Sequence, residues 1–261
     1  MMNKKLFLLL AFAILFSGSA FAQEAEEEKD WSATLDLPLY SKYVWRGINL
    51  VDNWVFQPSL EGNYKWITAT VWTSMELTNE NEYPTNGHPA GDITEIDYIV
   101  DLSHEIGKLG ISAGANIYTF PNTDFDPTTE IYAGLSLDVI TQPSVTVYHD
   151  VDLVHGYYVN FQIGHSFEEI WKPGENAALS LDLGAGIGIS DEKHSDYYYG
   201  ADTQGWLFSD ALFQLGLPLS IGDYITVTPS AYYSVLIDDK IRDATEKDEN
   251  FWWGVSLAFS L

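Results

Sequence analysis

Hydrophobic and polar positions alternate along much of this chain. Residues 177–190, AALSLDLGAGIGIS, show the pattern most clearly: every odd position is apolar, and the even positions from Ser180 onward are serine, aspartate or glycine. A period of two places these two sets on opposite faces of a β-strand. The stretch exceeds the roughly 5–6 residues of a typical soluble strand and satisfies the roughly 9–11 of a tilted membrane strand. One face therefore suits lipid and the other a wet interior.

Twelve segments of this kind follow one another. They span residues 32–46, 53–61, 64–78, 93–104, 110–120, 129–139, 144–150, 156–167, 177–190, 206–220, 224–236 and 250–261. Their connections alternate between tight turns and longer polar loops, apart from a long inner connection at 168–176 and a short outer one at 151–155. Short periplasmic turns and longer outer loops are typical of bacterial outer-membrane barrels. The pattern predicts an all-β fold, a single antiparallel transmembrane β-barrel of 12 strands.

The last segment supports a closed barrel. Phe251, Trp253 and Phe259 share one face, and the segment runs to Leu261. A barrel closes when its last strand pairs with the first, which removes the exposed sheet edges. A secreted soluble barrel or sandwich would show the same alternation with its apolar face inward. The length of the segments and their acidic, glycine-rich second face favour the membrane barrel over this alternative.

The ends of the chain divide it into three parts. Lys4 and Lys5 precede an apolar run at 6–16, and Ala20-Phe21-Ala22 fits a cleavage site, so we expect a signal peptide at 1–22 rather than an anchor helix. Residues 23–31 form an expected acidic periplasmic tail, and 32–261 form the barrel. The chain contains no cysteine, which excludes both a lipid-anchored lipoprotein and disulfides.

The composition of the chain indicates where the protein is located and what it contacts. The formal net charge is −26, so we expect no nucleic acid partner and an attraction for cations. Aromatic residues make up 15% of the chain, which suits aromatic belts at the membrane interfaces. We expect the outer membrane of a Gram-negative bacterium, with outer-membrane lipid and small solutes as partners. The aromatic C-terminal segment resembles the signal read by the outer-membrane assembly machinery, although Leu261 replaces the usual Phe.

Several short motifs resemble a known family. SKYVWRG at 41–47, PSLEGNY at 58–64 and TVWTSME at 70–76 resemble the TorF family of porins, and the blocks at 94–121 and 129–137 look like that family's next blocks. The resemblance covers residues 32–139 well and the rest loosely. It implies an outer-membrane barrel with a proposed pore role, and it supplies neither a substrate nor catalytic residues.

If the apolar positions face lipid, charged side chains face the lumen. The candidate pore-lining residues are Arg46, Glu76, Glu95, Asp97, Asp101, Glu130, Asp138, Asp182 and Asp210. Ionised carboxylates in a water-filled lumen favour cations. The same carboxylates could instead pair with basic or hydroxyl groups and fill the barrel. Barrels of about 8 strands are filled by side chains and those of about 16–18 leave a channel, so a narrow pore and a plugged lumen both stay open.

Arg46 is the most distinctive single candidate. We expect it at the outer end of the first strand, on the same face as Lys42. Arginine binds carboxylates through two parallel hydrogen bonds, so Arg46 could pair with lumen carboxylates and shape a constriction. A salt bridge at the rim is the alternative.

Other chemistry finds little support. His149, Asp150, Asp152 and His155 lie close in sequence, but their spacing matches no standard metal site. The acidic stretch 237–249 lacks the ordered spacing of a calcium loop. Ser103-His104 and His165-Ser166 would point to opposite faces of a strand, and no G-x-S-x-G motif is present. We therefore predict no catalytic residue, no metal and no cofactor.

Two functions remain. The first is a porin-like channel for passive diffusion of small, preferentially cationic or neutral solutes through an acidic lumen. The second is a non-conducting outer-membrane barrel that acts as a binding or structural protein through its outer loops. We do not expect an enzyme.

Overall fold

The computed structural model describes residues 30–81 and 89–261, and its regular structure is almost entirely β-strand. The predicted signal peptide and nearly all of the predicted acidic tail lie outside the described residues. The strands are β1 (Trp31–Asp36), β2 (Leu39–Tyr40), β3 (Tyr43–Trp45), β4 (Ile48–Val51), β5 (Val55–Phe56), β6 (Ser59–Tyr64), β7 (Ile67–Glu76), β8 (Ile93–Ile106), β9 (Leu109–Thr119), β10 (Thr128–Leu137), β11 (Ser144–Asp150), β12 (Tyr157–Gly174), β13 (Ala177–Ser190), β14 (Leu207–Gly216), β15 (Leu219–Ile221), β16 (Ile225–Leu236) and β17 (Glu249–Ser260).

In the part of the chain that the structure describes, helical structure is confined to two of the longer loops. Helix α1 (Glu192–His194) continues into a π-helical turn, Ser195–Tyr199, and helix α2 (Asp239–Ala244) lies between β16 and β17. Among the described residues, no helix is long and apolar enough to cross a lipid bilayer.

The strands close into an antiparallel ring of 12. Three positions of the ring are each filled by two short strands in line, namely β1 with β2, β6 with β5, and β14 with β15. The ring closes where β17 pairs with the first position, with Thr34 opposite Ser260 and Leu39 opposite Val255. Closure leaves no open sheet edge, which a barrel in lipid requires because no water is there to satisfy backbone groups. The predicted 12-stranded barrel is confirmed.

The outside of the ring is apolar and the inside is polar. In β8, Tyr98 and Val100 are 46% and 47% exposed, whereas Asp97 and Asp101 on the alternate face are 4% and 8% exposed. Exposed aromatic and aliphatic side chains continue round the ring, for example Phe161 in β12 and Phe213 in β14. A soluble barrel would carry these apolar residues in its interior. The distribution is that of a barrel with a lipid-facing surface.

One end of the barrel carries short turns and the other carries long loops. Residues 65–66, 107–108 and 175–176 make tight turns, whereas 191–206 and 237–248 make long connections at the opposite end. Of the two irregular connections in the sequence pattern, the structure explains one and retains the other. The predicted inner connection at 168–176 is mostly strand, because β12 continues to Gly174, and the connection after Asp150 is a short loop at the long-loop end.

The first predicted segment, residues 32–46, is wrong at its C-terminal end. The barrel strand ends at Tyr40, and β3 and β4 form a separate two-stranded hairpin that is not part of the ring. The chain reverses at Arg46 and Gly47, whose φ angles are +47° and +81°. Positive φ at both central residues is the requirement of the type I′ turn, one of the two-residue hairpin turns that match strand twist. The prediction that Arg46 lies at the outer end of the first strand is therefore wrong. Arg46 lies at the tip of this hairpin.

The seam of the barrel can be tested with engineered cysteines, because the natural chain has none. Ala33 and Leu261 exchange both backbone hydrogen bonds, so the next pair, Thr34 and Ser260, is the close, non-hydrogen-bonded kind with Cα atoms about 4.5 Å apart. That separation lies within disulfide range. We expect Thr34→Cys with Ser260→Cys to form an intramolecular disulfide on oxidation, measured by a mobility shift in gel electrophoresis. Thr34→Cys with Ser112→Cys, on the non-neighbouring β9, is the control. A disulfide in the control alone would contradict the closure.

Candidate functional site

The hairpin of residues 43–51, hereafter the inner hairpin, lies inside the barrel towards the long-loop end. Its base joins β2 and β5, and its tip reaches β10, β11 and β12 on the opposite side of the ring. Tyr43 packs against Trp72 of β7 with ring centroids 5.5 Å apart, and Trp45 packs against Tyr118 of β9 at 6.5 Å. Arg46 contacts Glu130 of β10. The inner hairpin thus crosses the lumen, and it is the feature around which the candidate site is built.

The turn of the inner hairpin depends on a glycine. A Cβ at Gly47 would lie 2.6 Å from Leu236 Cδ2 and 2.9 Å from Asp210 Cβ, so no larger residue fits without displacing the wall. Gly47 also has a positive φ that other residues adopt only at a cost. Arg46 shares this conformation without being glycine. Such a backbone persists where surrounding contacts over-determine it, and the contacts of Arg46 do so.

Arg46 occupies an enclosed aromatic pocket. Its Nη1 and Nη2 atoms donate to Glu130 Oε1 and Oε2, each at 2.7 Å. The two side chains are 8% and 2% exposed. The guanidinium carbon lies 4.3 Å from the ring centroid of Trp45, 4.9 Å from that of Tyr148 and 4.2 Å from that of Tyr158. A forked ion pair stacked on aromatic faces combines the two interactions in which arginine is strongest. We call these five residues the Arg46 cage.

Further hydrogen bonds fix both sides of this pair. Tyr118 Oη donates to Glu130 Oε2 at 2.9 Å and accepts from Asn116 Nδ2 at 3.1 Å. Tyr199 Oη donates to the backbone carbonyl of Arg46 at 2.9 Å. Asn250 Nδ2 donates to the carbonyl of Gly47 at 3.4 Å. The turn is therefore held through its side chain and through its backbone.

The loop after β13 covers the cage. Asp191 caps α1 by accepting from the backbone N–H of His194 at 2.9 Å. His194 is 1% exposed, and its ring lies 6.1 Å from Trp45 and 5.3 Å from Tyr158 between centroids. His194 Nε2 has no hydrogen-bond partner among the described residues. Burial lowers the pKa of His194 well below its usual value, and the nearby charge of Arg46 lowers it further.

Most of the candidate pore-lining acids lie buried on the inner face. This group comprises Glu76, Glu95, Asp97, Asp101, Glu130, Asp182 and Asp210. Three of them accept hydrogen bonds from inner-face tyrosines: Glu130 from Tyr118 at 2.9 Å, Asp101 from Tyr132 at 2.7 Å and Asp210 from Tyr158 at 3.0 Å. Asp138 differs from these residues. It was predicted within the strand segment 129–139, but β10 ends at Leu137, and Asp138 lies half-buried in the connection that follows. Arg46 and Glu130 meet in the Arg46 cage, and Asp210 adjoins it through the hydroxyl of Tyr158. Asp182 lies apart from them, near the short-turn end.

Lys42 was predicted to share a strand face with Arg46, and this is wrong because the strand has already ended. Lys42 Nζ lies 2.5 Å from Asp52 Oδ1, and Lys247 Nζ binds the other oxygen of Asp52. This cluster joins the base of the inner hairpin to the loop before β17. Burial alone would raise the pKa of Asp52, but the hydrogen bonds from Lys247 and Lys42 outweigh it and lower the pKa to about 2.

The wall tyrosines that contact Arg46 or Glu130 were missed by reasoning from the sequence. Tyr118, Tyr148 and Tyr158 lie on the inner face. Tyr118 alternates in phase with Asn116, and Tyr148 with Asp150, so the phase of the alternation could have found them. Composition alone assigns the aromatic residues to belts at the membrane interfaces instead.

The histidine-rich stretch near residue 150 has a structural explanation. Asp150 Oδ1 accepts from the backbone N–H groups of Asp152 and Val154, and Asp150 Oδ2 accepts from Thr128 Oγ1. His149 stacks on Tyr157 with centroids 4.0 Å apart. Within residues 30–81 and 89–261, no group of three or more His, Asp or Glu side chains is arranged to hold a metal ion.

Solved structures with this architecture are outer-membrane proteins. A structure of the NanC porin matches with a TM-score of 0.51 at 10% identity, covering 87% of this chain and 100% of that one. LpxR from Salmonella typhimurium matches with a TM-score of 0.53 at 7% identity, covering 87% and 99%. An outer membrane channel from Pseudomonas putida F1 matches with a TM-score of 0.50 at 8% identity, covering 91% and 100%.

The chain has the fold of the outer-membrane β-barrels. At such low identities the likeness extends to the fold alone. Together with the apolar outer surface, this fold indicates a location in the outer membrane of a Gram-negative bacterium. No model of a protein family matches the sequence, and no curated protein matches it.

The contribution of the Arg46 cage to stability can be measured against the chain's other arginine. Arg46→Ala leaves Glu130 buried without its counter-ion, and breaking such a pair costs about 3–5 kcal/mol. Arg242 makes exposed ion pairs with Asp239 and Asp248, so Arg242→Ala should cost less than about 1 kcal/mol. The measurement is the free energy of unfolding in urea for each purified barrel. Equal losses in the two variants would contradict the cage.

Stability should also depend on pH through His194. The unfolded histidine binds a proton near pH 6.5, whereas the folded one resists protonation because its pKa is lowered by burial and by Arg46. Above about pH 6.5 His194 is neutral in both states and does not reduce the free energy of unfolding. As the pH falls from there towards the lowered pKa of the folded state, the unfolded chain takes up the proton first, and the free energy of unfolding decreases.

We expect His194→Gln to flatten the decline in unfolding free energy between about pH 7 and pH 5. His155→Gln, at an exposed loop position, is the control and should keep the wild-type decline. The measurement is urea unfolding at several pH values. An unchanged slope in His194→Gln would refute the assignment.

Proposed function

We propose that this chain is a porin-like channel for passive diffusion of small, preferentially cationic or neutral solutes across the outer membrane, with the inner hairpin as its narrowest part. The observation that carries the proposal is an inner wall rich in buried carboxylates, facing a lumen that one basic hairpin tip crosses. Carboxylates in a pore set a preference for cations, and the acidic chain as a whole attracts them.

Two comparisons support a channel without deciding it. The solved structures that share the fold include a porin and an outer membrane channel. More narrowly, the SKYVWRG motif suggests kinship with the TorF family, and in this chain that motif supplies the inner hairpin's first strand and its Arg46-Gly47 turn. We propose this kinship on the motif alone.

A non-conducting barrel is the second candidate, and one observation favours it. The inner hairpin, the Arg46 cage and the covering loop with His194 together occupy the lumen at the long-loop end. A lumen filled there would leave the outer loops to carry a binding or structural role.

We propose no catalytic role. Ser103 is half-buried while its neighbour His104 is exposed, as expected for opposite faces of β8. His165 Nδ1 contacts the carbonyl of Ile140 at 2.8 Å near the short-turn end. Neither histidine is paired with the adjacent serine as nucleophile and base would be.

We further propose that the outer-membrane assembly machinery recognises β17. This strand closes the ring, and its outward face carries exposed Phe251 and Trp253. Before the ring closes, β17 is an edge strand, and its unpaired backbone N–H and C=O groups can pair with another chain. This supports recognition of β17 before closure.

Conductance and ion selectivity test the channel. We expect the purified barrel in a planar bilayer to give discrete, cation-selective steps, measured as the reversal potential across a salt gradient. Asp97→Asn with Asp101→Asn should shift the reversal potential towards zero, because neutral amides replace two wall carboxyl groups. Asp138→Asn, in the connection after β10, is the matched control and should keep the wild-type value.

A barrel whose inner hairpin, residues 43–51, is replaced by a short Gly-Ser linker separates the two candidates. A larger step than wild type supports the channel with the hairpin as constriction. If the linker variant conducts and the wild-type barrel does not, the result favours the non-conducting barrel as the natural state. No conductance from either barrel, although both are folded and heat-modifiable, would contradict the channel.

A further inference from the structure

We propose that Glu130, Tyr118, Tyr148 and Tyr158 form a binding site for a guanidinium-bearing solute, for which Arg46 is the intramolecular occupant. The four residues belong to four consecutive barrel strands, β9 to β12. The site is therefore part of the wall and does not depend on the inner hairpin for its position. This inference rests on the proposed channel function for the entry of the solute.

The wall residues are held by contacts that do not involve Arg46. Tyr148 and Tyr158 are directly opposite each other on adjacent strands, with ring centroids 6.3 Å apart. Tyr158 Oη donates to Asp210 at 3.0 Å, and Tyr118 bridges Asn116 and Glu130. These bonds orient the rings and the carboxylate in advance, which reduces the entropy lost on binding.

The chemistry of the site selects guanidinium over other cations. Glu130 receives two parallel hydrogen bonds of 2.7 Å from the Arg46 fork, which only a planar, forked donor can supply. The tyrosine faces at 4.2 and 4.9 Å from the guanidinium carbon add cation–π attraction. An ammonium ion is a compact, strongly hydrated point charge and matches neither feature as well.

Arg46 limits access to this site because it is tethered beside it. A tethered group competes at an effective concentration of about millimolar order or above. A solute that takes its place would leave the tip of the inner hairpin attached through the backbone carbonyls of Arg46 and Gly47. Binding of such a solute is thus coupled to loosening of the inner hairpin.

Isothermal titration of the full-length purified barrel in detergent tests the site, with N-methylguanidinium as the probe. We expect Arg46→Ala to bind the probe at least about 10-fold more tightly than wild type, because the competing side chain is gone. Adding Glu130→Gln to Arg46→Ala should abolish binding. Adding Asp36→Asn instead should not, since Asp36 is a buried inner carboxylate held by Ser256 of β17.

Ligand controls separate recognition from non-specific charge effects. N-methylurea has the same shape without the charge, and methylammonium has the charge without the fork. The site is supported if both bind Arg46→Ala more weakly than N-methylguanidinium does. It is refuted if methylammonium binds equally well, or if a folded Arg46→Ala barrel fails to bind N-methylguanidinium.

A second variant and a second readout keep the test decisive. If Arg46→Ala does not fold, Arg46→Gln takes its place, because glutamine preserves more of the side-chain volume. N-methylguanidinium should raise the melting temperature of Arg46→Gln. It should not raise that of the double variant Arg46→Gln with Glu130→Gln.

The binding test is independent of the channel, because titration requires no ion flow. Binding without conductance would therefore support the site while refuting the channel, and conductance without binding would refute the site alone.

Discussion

The buried ion pair between Arg46 and Glu130 is the interaction on which the interior of this barrel depends. It joins residues 84 positions apart in sequence and holds a hairpin tip in a backbone conformation that few non-glycine residues adopt. Charges removed from water are costly unless their hydrogen-bonding capacity is met. Here the fork of Arg46, the hydroxyl of Tyr118 and the aromatic faces around them meet it.

That interior is possible because the barrel reverses the usual distribution of polarity. Apolar residues such as Val100 and Phe213 cover the outside, so polar and charged residues can occupy the inside. The inside is also uneven along its axis. Large rings such as Tyr148 and Tyr158 lie towards the long-loop end, whereas small residues such as Ser112 and Ser180 lie towards the short-turn end. The inner hairpin adds its own side chains to the large rings at the long-loop end.

Much of the ring could be predicted from the sequence, because a period of two is a local property. Residues 144–150 and 177–190 are strands with the predicted bounds. The error in the first segment is also local: the residues of β3 alternate like a continuing strand, and only the Arg46-Gly47 turn marks the reversal. The cage could not be predicted in this way. Its members come together through closure of the ring and through the inward path of the hairpin, which alternation does not encode.

Solid-state nuclear magnetic resonance tests the account's central claim most directly. The protein would carry ¹⁵N in its arginine guanidinium groups and ¹³C at its glutamate side-chain carboxyl carbons, reconstituted in lipid. Only two arginines are present in the chain, and Arg242 pairs with aspartates. The account predicts dipolar dephasing of one glutamate carbon at a distance of about 3.5–4 Å, as in a forked arginine–carboxylate pair, and its loss in Glu130→Gln. No dephasing of any glutamate carbon in the folded barrel would contradict it.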